Sequence, residues 1–178
     1  MTVKDAIGDL KKFKPVWNED FHKKRISYTD IENDINWHKP RYHNIRDMKI
    51  YEMLAKDIEK EEFKYLDPKK ITEIYEERVG SKSPIHRYHV LRKDQPSTTI
   101  TAHLHKDGLR FIHYDSAQKR TITVREAARL QSFPDDFKFL STRGNQYKMI
   151  GNAVPPEFAR RLSIAVKEFM DFIKNKRS

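Results

Sequence analysis

Residues 120–156 read RTITVREAARLQSFPDDFKFLSTRGNQYKMIGNAVPP. Thr123 and Glu126 stand at the spacing of a capping box. In such a box the hydroxyl accepts from a free backbone N–H and the carboxylate reaches back to the N-cap N–H. A short helix is expected over residues 124–133, stopped by Pro134 with Asp135 and Asp136. A polar loop follows, then Gly151-Asn152 and the pair Pro155-Pro156. Gly151 permits close backbone approach, Asn152 offers a donor and an acceptor at a helix entrance, and Pro156 presets a first helical turn.

Downstream, Phe158, Leu162, Ala165, Val166, Phe169 and Ile173 recur at helical spacing and form a continuous apolar stripe. Such a helix wants a hydrophobic surface to lie on. The preceding segments offer few apolar faces for it. Upstream, residues 85–91, 97–104 and 109–114 alternate and are rich in β-branched and aromatic residues, so three strands are expected. His105-Lys106-Asp107-Gly108 reads as a hairpin turn, with Gly108 free to take positive φ. Residues 45–63 read as a helix with Ile45, Met48, Tyr51, Leu54, Ala55 and Ile58 on one face, and with Asp57 and the run 59–62 on the rest. Asp67-Pro68 starts a second helix, which buries Ile71, Ile74 and Tyr75 and stops at Gly80. These two helices are the most acidic part and read as scaffold, their carboxylates solvated. Residues 11–40 show no sustained period and read as loop with short elements. HKPRYH, residues 38–43, suits a surface loop, and Thr2 is a plausible N-cap for residues 2–10.

A chain of 178 residues fits one domain, or a domain plus an appendage. With 37% hydrophobic and 35% charged residues the core is thin, so a partner is expected to complete some apolar surface. The net charge of +10 favours a polyanionic partner, most often nucleic acid. That charge is segmental: residues 51–80 are net acidic and the stretches on either side are basic. Cysteine is absent, which excludes disulfides, thiolate metal sites and a thiol nucleophile within this sequence. No apolar run approaches transmembrane length and the N-terminus lacks a signal-peptide pattern, so a cytoplasmic protein is expected. Five of eight histidines lie between His86 and His113, with His103 and His105 on one face of an expected strand. Their spacing matches no familiar ligand set, so solvated or phosphate-facing imidazoles are expected and no metal. The run Ser97 to His103 sets hydroxyls beside Arg92, Lys93, His105 and Lys106. Such groups can donate to phosphates and bases, although Thr also favours strands for its own sake.

The strings TVREAARLQSFPDDFKF and QYKMIGNAVPP, in this order and at this separation, resemble the last two sequence blocks of DNA (cytosine-5) methyltransferases. LRKDQPSTTITAHLHKDGLRFIH resembles the part of that family's target-recognition domain just ahead of the penultimate block. TVKDAIGDL resembles the segment just after its central blocks. In the family a Cys thiolate adds to C6 of a flipped-out cytosine, a Glu stabilises the base at N3, and S-adenosylmethionine supplies the methyl group. This sequence has no Pro-Cys loop, no Glu-Asn-Val triplet (Glu32-Asn33-Asp34 is the nearest string) and no Gly-rich strand-to-helix turn near its start.

The resemblance therefore implies the closing part of such an enzyme, with no catalytic residue of its own and no activity alone. It implies a connector at residues 1–10, a target-recognition domain at 11–119 and a C-terminal helical segment at 120–178. The implied fold is α+β: a small, mostly antiparallel sheet with helices, and a last helix that packs on a cofactor-binding domain. Gly151, Asn152 and Ala153 are the implied contributors to the S-adenosylmethionine pocket, shared with a partner chain that carries the Cys nucleophile. Thr98, Thr99, Thr101, His103, Arg92 and Lys93 are the implied contacts to double-stranded DNA. Arg125, Glu126, Arg129 and Gln131 are implied to hold the recognition domain. No membrane is involved, a homo-oligomer in isolation stays open, and the initial Met falls at a sensible junction for a recognition subunit. Two further readings stay open: an inactive truncated remnant, and a stand-alone sequence-selective DNA-binding module.

Overall fold

The computed structural model describes residues 1–16, 27–28, 35–80, 88–106 and 108–176. The first four helices begin where capping side chains stand. In α1 (Val3–Ile7) Thr2 and Asp5 form a capping box. Asn44 accepts from the Asp47 N–H at 2.7 Å to open α2 (Ile45–Glu59). Asp67 opens α3 (Pro68–Val79), and Gly80 closes it at φ 74°. Thr123 and Glu126 make the expected box at α4 (Val124–Leu130). Two more helices follow, α5 (Arg143–Asn152) and α6 (Pro156–Lys176).

Two helices end earlier than their patterns suggest. Helix α2 stops at Glu59 because Asp57 turns inward, 4% exposed, and accepts from the N–H groups of Lys64 and Tyr65 at 3.0 and 3.3 Å. Glu59 is not merely solvated either: it accepts from the Ser116 N–H and hydroxyl at 2.8 and 2.6 Å. Helix α4 stops at Leu130, where Gln131 turns the chain and Ser132 takes φ 61°.

Extended pairing is sparse among the described residues. β1 (Pro15–Val16) and β2 (Ser27–Tyr28) pair antiparallel. Ile112 bridges Val90 in parallel and Thr121 in antiparallel fashion. Of the strand expected over 85–91, residues 85–87 lie outside the described residues, as do Asp107 of the expected hairpin turn and His86. Gly108 takes the expected positive φ, 69°.

The strand expected over 97–104 is not one: Ala102–His105 is a single 3-10 turn. Its backbone is satisfied locally and by side chains instead of by a neighbouring strand. Leu104 N–H donates to Thr101, Lys106 N–H to His103, and Arg41 donates to the Leu104 carbonyl at 2.5 Å. The stretch HKPRYH is likewise not a simple surface loop. His38 is fully buried, between the Thr123 hydroxyl at 3.0 Å and the Lys11 carbonyl at 2.8 Å, and His43 is 7% exposed. Imidazoles can be buried when both nitrogens find partners, which pattern reading does not reveal.

Two apolar clusters share the segment 88–112. One joins Val3 and Ile7 of α1 to Leu91, Ile100, Leu104, Phe111 and Ile122, and to Val124, Ala127, Tyr147 and Ile150 of α4 and α5. The other packs Ile50, Tyr51 and Leu54 of α2 and Ile71 and Ile74 of α3 against Tyr88, Val90, Leu109 and Ile112. Helix α6 buries no residue.

Candidate functional site

The site is organised by α4 and α5, and both are held mainly by side chains that grip backbone carbonyls. Arg125 has a fully buried side chain. It donates to the carbonyls of Asn36, Pro134 and Phe137 at 3.0, 2.9 and 2.9 Å, so it fixes the chain on both sides of α4. Gln131 donates to the Ile150 carbonyl at 3.1 Å and Tyr147 to the Ile122 carbonyl at 2.8 Å, which lock α5 to α4. Gln146 binds the Phe139 and Ser141 carbonyls, both at 2.9 Å. Arg129 spans Asp135 and Asp9, joining α4 to the chain after α1.

Beneath them lies a buried charged knot. Arg120 donates twice to Glu126, at 2.7 and 2.6 Å, and both side chains are essentially inaccessible. Glu126 also accepts the Thr123 N–H at 2.7 Å as the return arm of the capping box. Gln118 accepts from Arg120 and from the Phe13 N–H, tying residue 13 to this knot. Burial alone would raise the Glu126 carboxyl, but the Arg120 charge and its two hydrogen bonds outweigh burial and hold it well below the usual range. Burial, reinforced by Arg120, pushes His113 down to about 3. Its imidazole is therefore neutral and accepts from the Asp115 N–H. These groups are buried and hydrogen-bonded to one another.

Gly151 does what its position predicts. A Cβ there would overlap the backbone of Thr101 and Ala102. The last turn of α5 thus lies directly on the 3-10 turn. Gly151 and Asn152 finish α5, however, and do not form the entrance to α6. Asn152 is exposed at that end, Ala153 and Pro155 are half-buried, and the Glu157 N–H at the start of α6 donates to the Ser132 hydroxyl at 3.0 Å.

The contact places residues suggested for two different ligands side by side. Thr98, Thr99, Thr101 and His103 are all exposed along the stretch that α5 touches. Thr98, Thr99 and Pro155 line one shallow recess of about 290 Å³. Lys93 is exposed beside α1, where its carbonyl accepts from the Lys4 N–H at 2.8 Å. Arg92 lies apart, its guanidinium over the Phe63 ring at 5.1 Å, in a separate recess that also includes Thr98. His103 and His105, expected on one strand face, sit on the 3-10 turn with ring centroids 6.5 Å apart. Among the described residues no group of three His, Asp or Glu side chains could hold a metal ion, and no helix is long and apolar enough to cross a membrane.

Sequence reading did not find Arg41, Arg143 or the buried His43, which together face a cleft at the N-terminal turns of α2 and α5. The signal was present only as basic residues in two stretches far apart in the chain.

A sequence model of the family described as C-5 cytosine-specific DNA methylase matches residues 3–168. The type II methyltransferase M.Bpa9945I of Bacillus paralicheniformis is 32% identical over 186 residues, covering 96% of this chain and 41% of that protein. The type II methyltransferase M.AgeI of Thalassovita gelatinovora is 41% identical over 91 residues, covering 51% of this chain and 21% of that protein. The DNA (cytosine-5-)-methyltransferase M.ApeKI of Aeropyrum pernix is 40% identical over 87 residues, covering 49% and 18%. The chain thus matches 41% of the length of the first of these curated relatives and less of the other two.

Proposed function

We infer the role of this chain from its family: it belongs to the C-5 cytosine-specific DNA methylases. Enzymes of this family methylate DNA with S-adenosylmethionine as the donor. We propose that these 178 residues are the DNA-recognition and pocket-completing part of such an enzyme, and that a partner chain supplies the Cys nucleophile and most of the cofactor site. In this reading residues 11–119 are the recognition lobe. Thr98, Thr99, Thr101, His103, Arg92 and Lys93 meet the duplex, and Gly151, Asn152 and Ala153 close the methyl-donor pocket.

The observation that carries the reading is α6. Phe158, Leu162, Val166 and Phe169 are 59, 53, 53 and 62% exposed along one stripe, while α4 and α5 bury Val124, Ala127, Ala128, Tyr147 and Ile150 in the core. A stripe of this size on an otherwise folded chain marks an interaction surface. Activation of cytosine C5 needs a thiolate adding at C6, and this sequence contains no Cys to provide it. The proton and methyl chemistry thus belongs outside these residues. What they can contribute is position: α5 pressed on the 3-10 turn sets Asn152 at a fixed place relative to Thr101.

The test is methyl transfer from labelled S-adenosylmethionine to DNA by this chain, by a chain carrying the Pro-Cys and Gly-rich blocks, and by their mixture. Activity confined to the mixture is expected. An intact complex with no activity on any DNA would overturn the reading. Sequence-selective DNA affinity of this chain alone, unaltered by the partner, would instead favour a stand-alone binding module. Replacing Phe158, Leu162 and Phe169 by Ser should abolish association while the far-UV circular dichroism of the rest persists; undiminished association would remove α6 from the interface.

A further inference from the structure

The cleft at the N-terminal turns of α2 and α5 has a volume of about 830 Å³ and no part in the function proposed above. Arg41, Arg46, His105, Lys106 and Arg143 line it, brought together from three separate stretches of chain. Asp47 is the one carboxylate among its described lining residues, and it is already engaged by the Asn44 amide at 2.8 Å and the Arg46 guanidinium at 3.1 Å. Lys106 and Arg143 are exposed and form no ion pair among the described residues. Arg41 lies with its guanidinium carbon 4.0 Å from the Tyr147 ring centroid, and its Nε is buried without a hydrogen-bond partner. His43 on the wall registers the resulting field: burial, with Arg41, Arg120 and Arg143, pushes it down to about 3.

The backbone adds to this charge. Thr142, the N-cap of α5, makes no side-chain bond to the helix, so the first-turn N–H groups bring the positive end of the helix dipole to the cleft. A Cβ built on Gly144 meets nothing within 4 Å, so this turn is open on the cleft side.

We propose that this cleft clamps a stretch of the phosphodiester backbone of duplex DNA, held by Arg46, Lys106, Arg143 and the first turn of α5. Identifying the polyanion as DNA rests on the family reading. The location supports it, because the 3-10 turn runs from Thr101 and His103 directly into His105 and Lys106. Residues three apart eclipse in a 3-10 turn, which puts His103 and Lys106 on one side. A strand that meets the Thr98 to His103 stretch continues into the cleft. Contacts of this kind fix register and orientation and carry no sequence information.

The experiment measures binding of a fluorescein-labelled duplex by anisotropy across a salt series, with the full chain and two variants. The first is the double substitution Lys106→Ala/Arg143→Ala. The second is Gly144→Asp, whose side chain has room and whose charge suits a helix N-terminus. In the double variant the slope of log affinity against log salt should become shallower by about one for each cation removed. Affinity should fall equally for two unrelated duplexes. Gly144→Asp should weaken binding without lowering the thermal midpoint. An unchanged slope and affinity in both variants overturns the proposal, as does wild-type chain that binds no duplex at low salt or variants that lose one sequence only. Methyl transfer by the mixture with unaltered DNA binding in the variants would sink the cleft and leave the family reading standing. Cleft-dependent binding without methyl transfer by an intact mixture would do the reverse.

Discussion

Two glycines of α5 should respond in opposite directions to the same added methyl group. At Gly151 a Cβ would overlap the Thr101 carbonyl and the Ala102 nitrogen, all backbone atoms that cannot rotate away. Ordinary contact requires α5 and the 3-10 turn to separate by roughly 1 Å, in a core as densely packed as an organic crystal. Overpacking of this kind costs about 1–3 kcal/mol. The hydrogen bonds from Gln131 to Ile150 and from Tyr147 to Ile122 hold α5 at that distance, and weakening one adds about 1 kcal/mol. Gly151→Ala should therefore destabilise the chain by about 2–4 kcal/mol. At Gly144 the same methyl meets nothing within 4 Å, and Ala in place of Gly favours the helix by up to about 1 kcal/mol. Urea unfolding followed by far-UV circular dichroism gives both numbers with one protocol. Equal midpoints for the two variants, or a stabilised Gly151→Ala, would refute the claim that close approach of α5 to the 3-10 turn requires a glycine at 151.

The charged knot gives a second prediction: Glu126→Gln leaves Arg120 buried without its counter-charge and should cost about 3–5 kcal/mol. The paired replacement Arg120→Met/Glu126→Leu should cost clearly less; equal losses would mean that the pair is not coupled. For pH, His43 and His113 are held near 3 in the fold, below the ordinary imidazole value of 6.5. The unfolded chain then binds more protons between those values, so stability is complete above about pH 6.5 and falls as the solution is acidified. Glu126, depressed below the usual carboxylate range, adds a further loss under more acidic conditions, below about pH 4.5. Unfolding free energy measured from about pH 7 to about pH 5 should decline, and His43→Gln/His113→Gln should flatten that decline; an unaltered slope would place these imidazoles in water.

What could be read in advance was local. Thr123 with Glu126, Asp67 with Pro68, and Gly80 are caps, and a cap is a contact between residues at most a few positions apart. The close approach at Gly151 and the bare stripe of α6 were also legible, because glycine and periodic apolar residues announce a space and a face. The misreadings share one cause. The stretch 97–104 has strand composition, yet Arg41 and Gln131 supply partners for its backbone and Gly151 of α5 packs against it, and none of them is visible within the stretch. His38, His43 and Asp57 look like surface residues until the distant or looping backbone that satisfies them is known. The cleft escaped for the same reason, since Arg41, Lys106 and Arg143 meet only after folding.

The two closing blocks and the helix after them differ in how firmly they are bound to the rest of the chain, and under the proposed function that difference bears on assembly. Arg125, Gln131, Gln146 and Tyr147 bind carbonyls on both sides of α4 and α5, so these helices are fixed relative to the Thr98 to His103 stretch before any partner arrives. Helix α6 has no buried residue, and Pro155-Pro156 with the Ser132 cap set its exit. Docking α6 on a partner would therefore immobilise α4, α5 and the Thr98 to His103 stretch as one piece, since the stiff proline pair leaves few torsions between α5 and α6. Binding energy gained along Phe158, Leu162 and Phe169 would then be spent on positioning Asn152 together with Thr98, Thr99 and Thr101, the threonines proposed to meet DNA. A flexible insertion such as Gly-Gly-Ser between Val154 and Pro155 should preserve association through α6 and sharply reduce methyl transfer by the mixture. Undiminished transfer with such an insertion would show that α6 acts only as a tether.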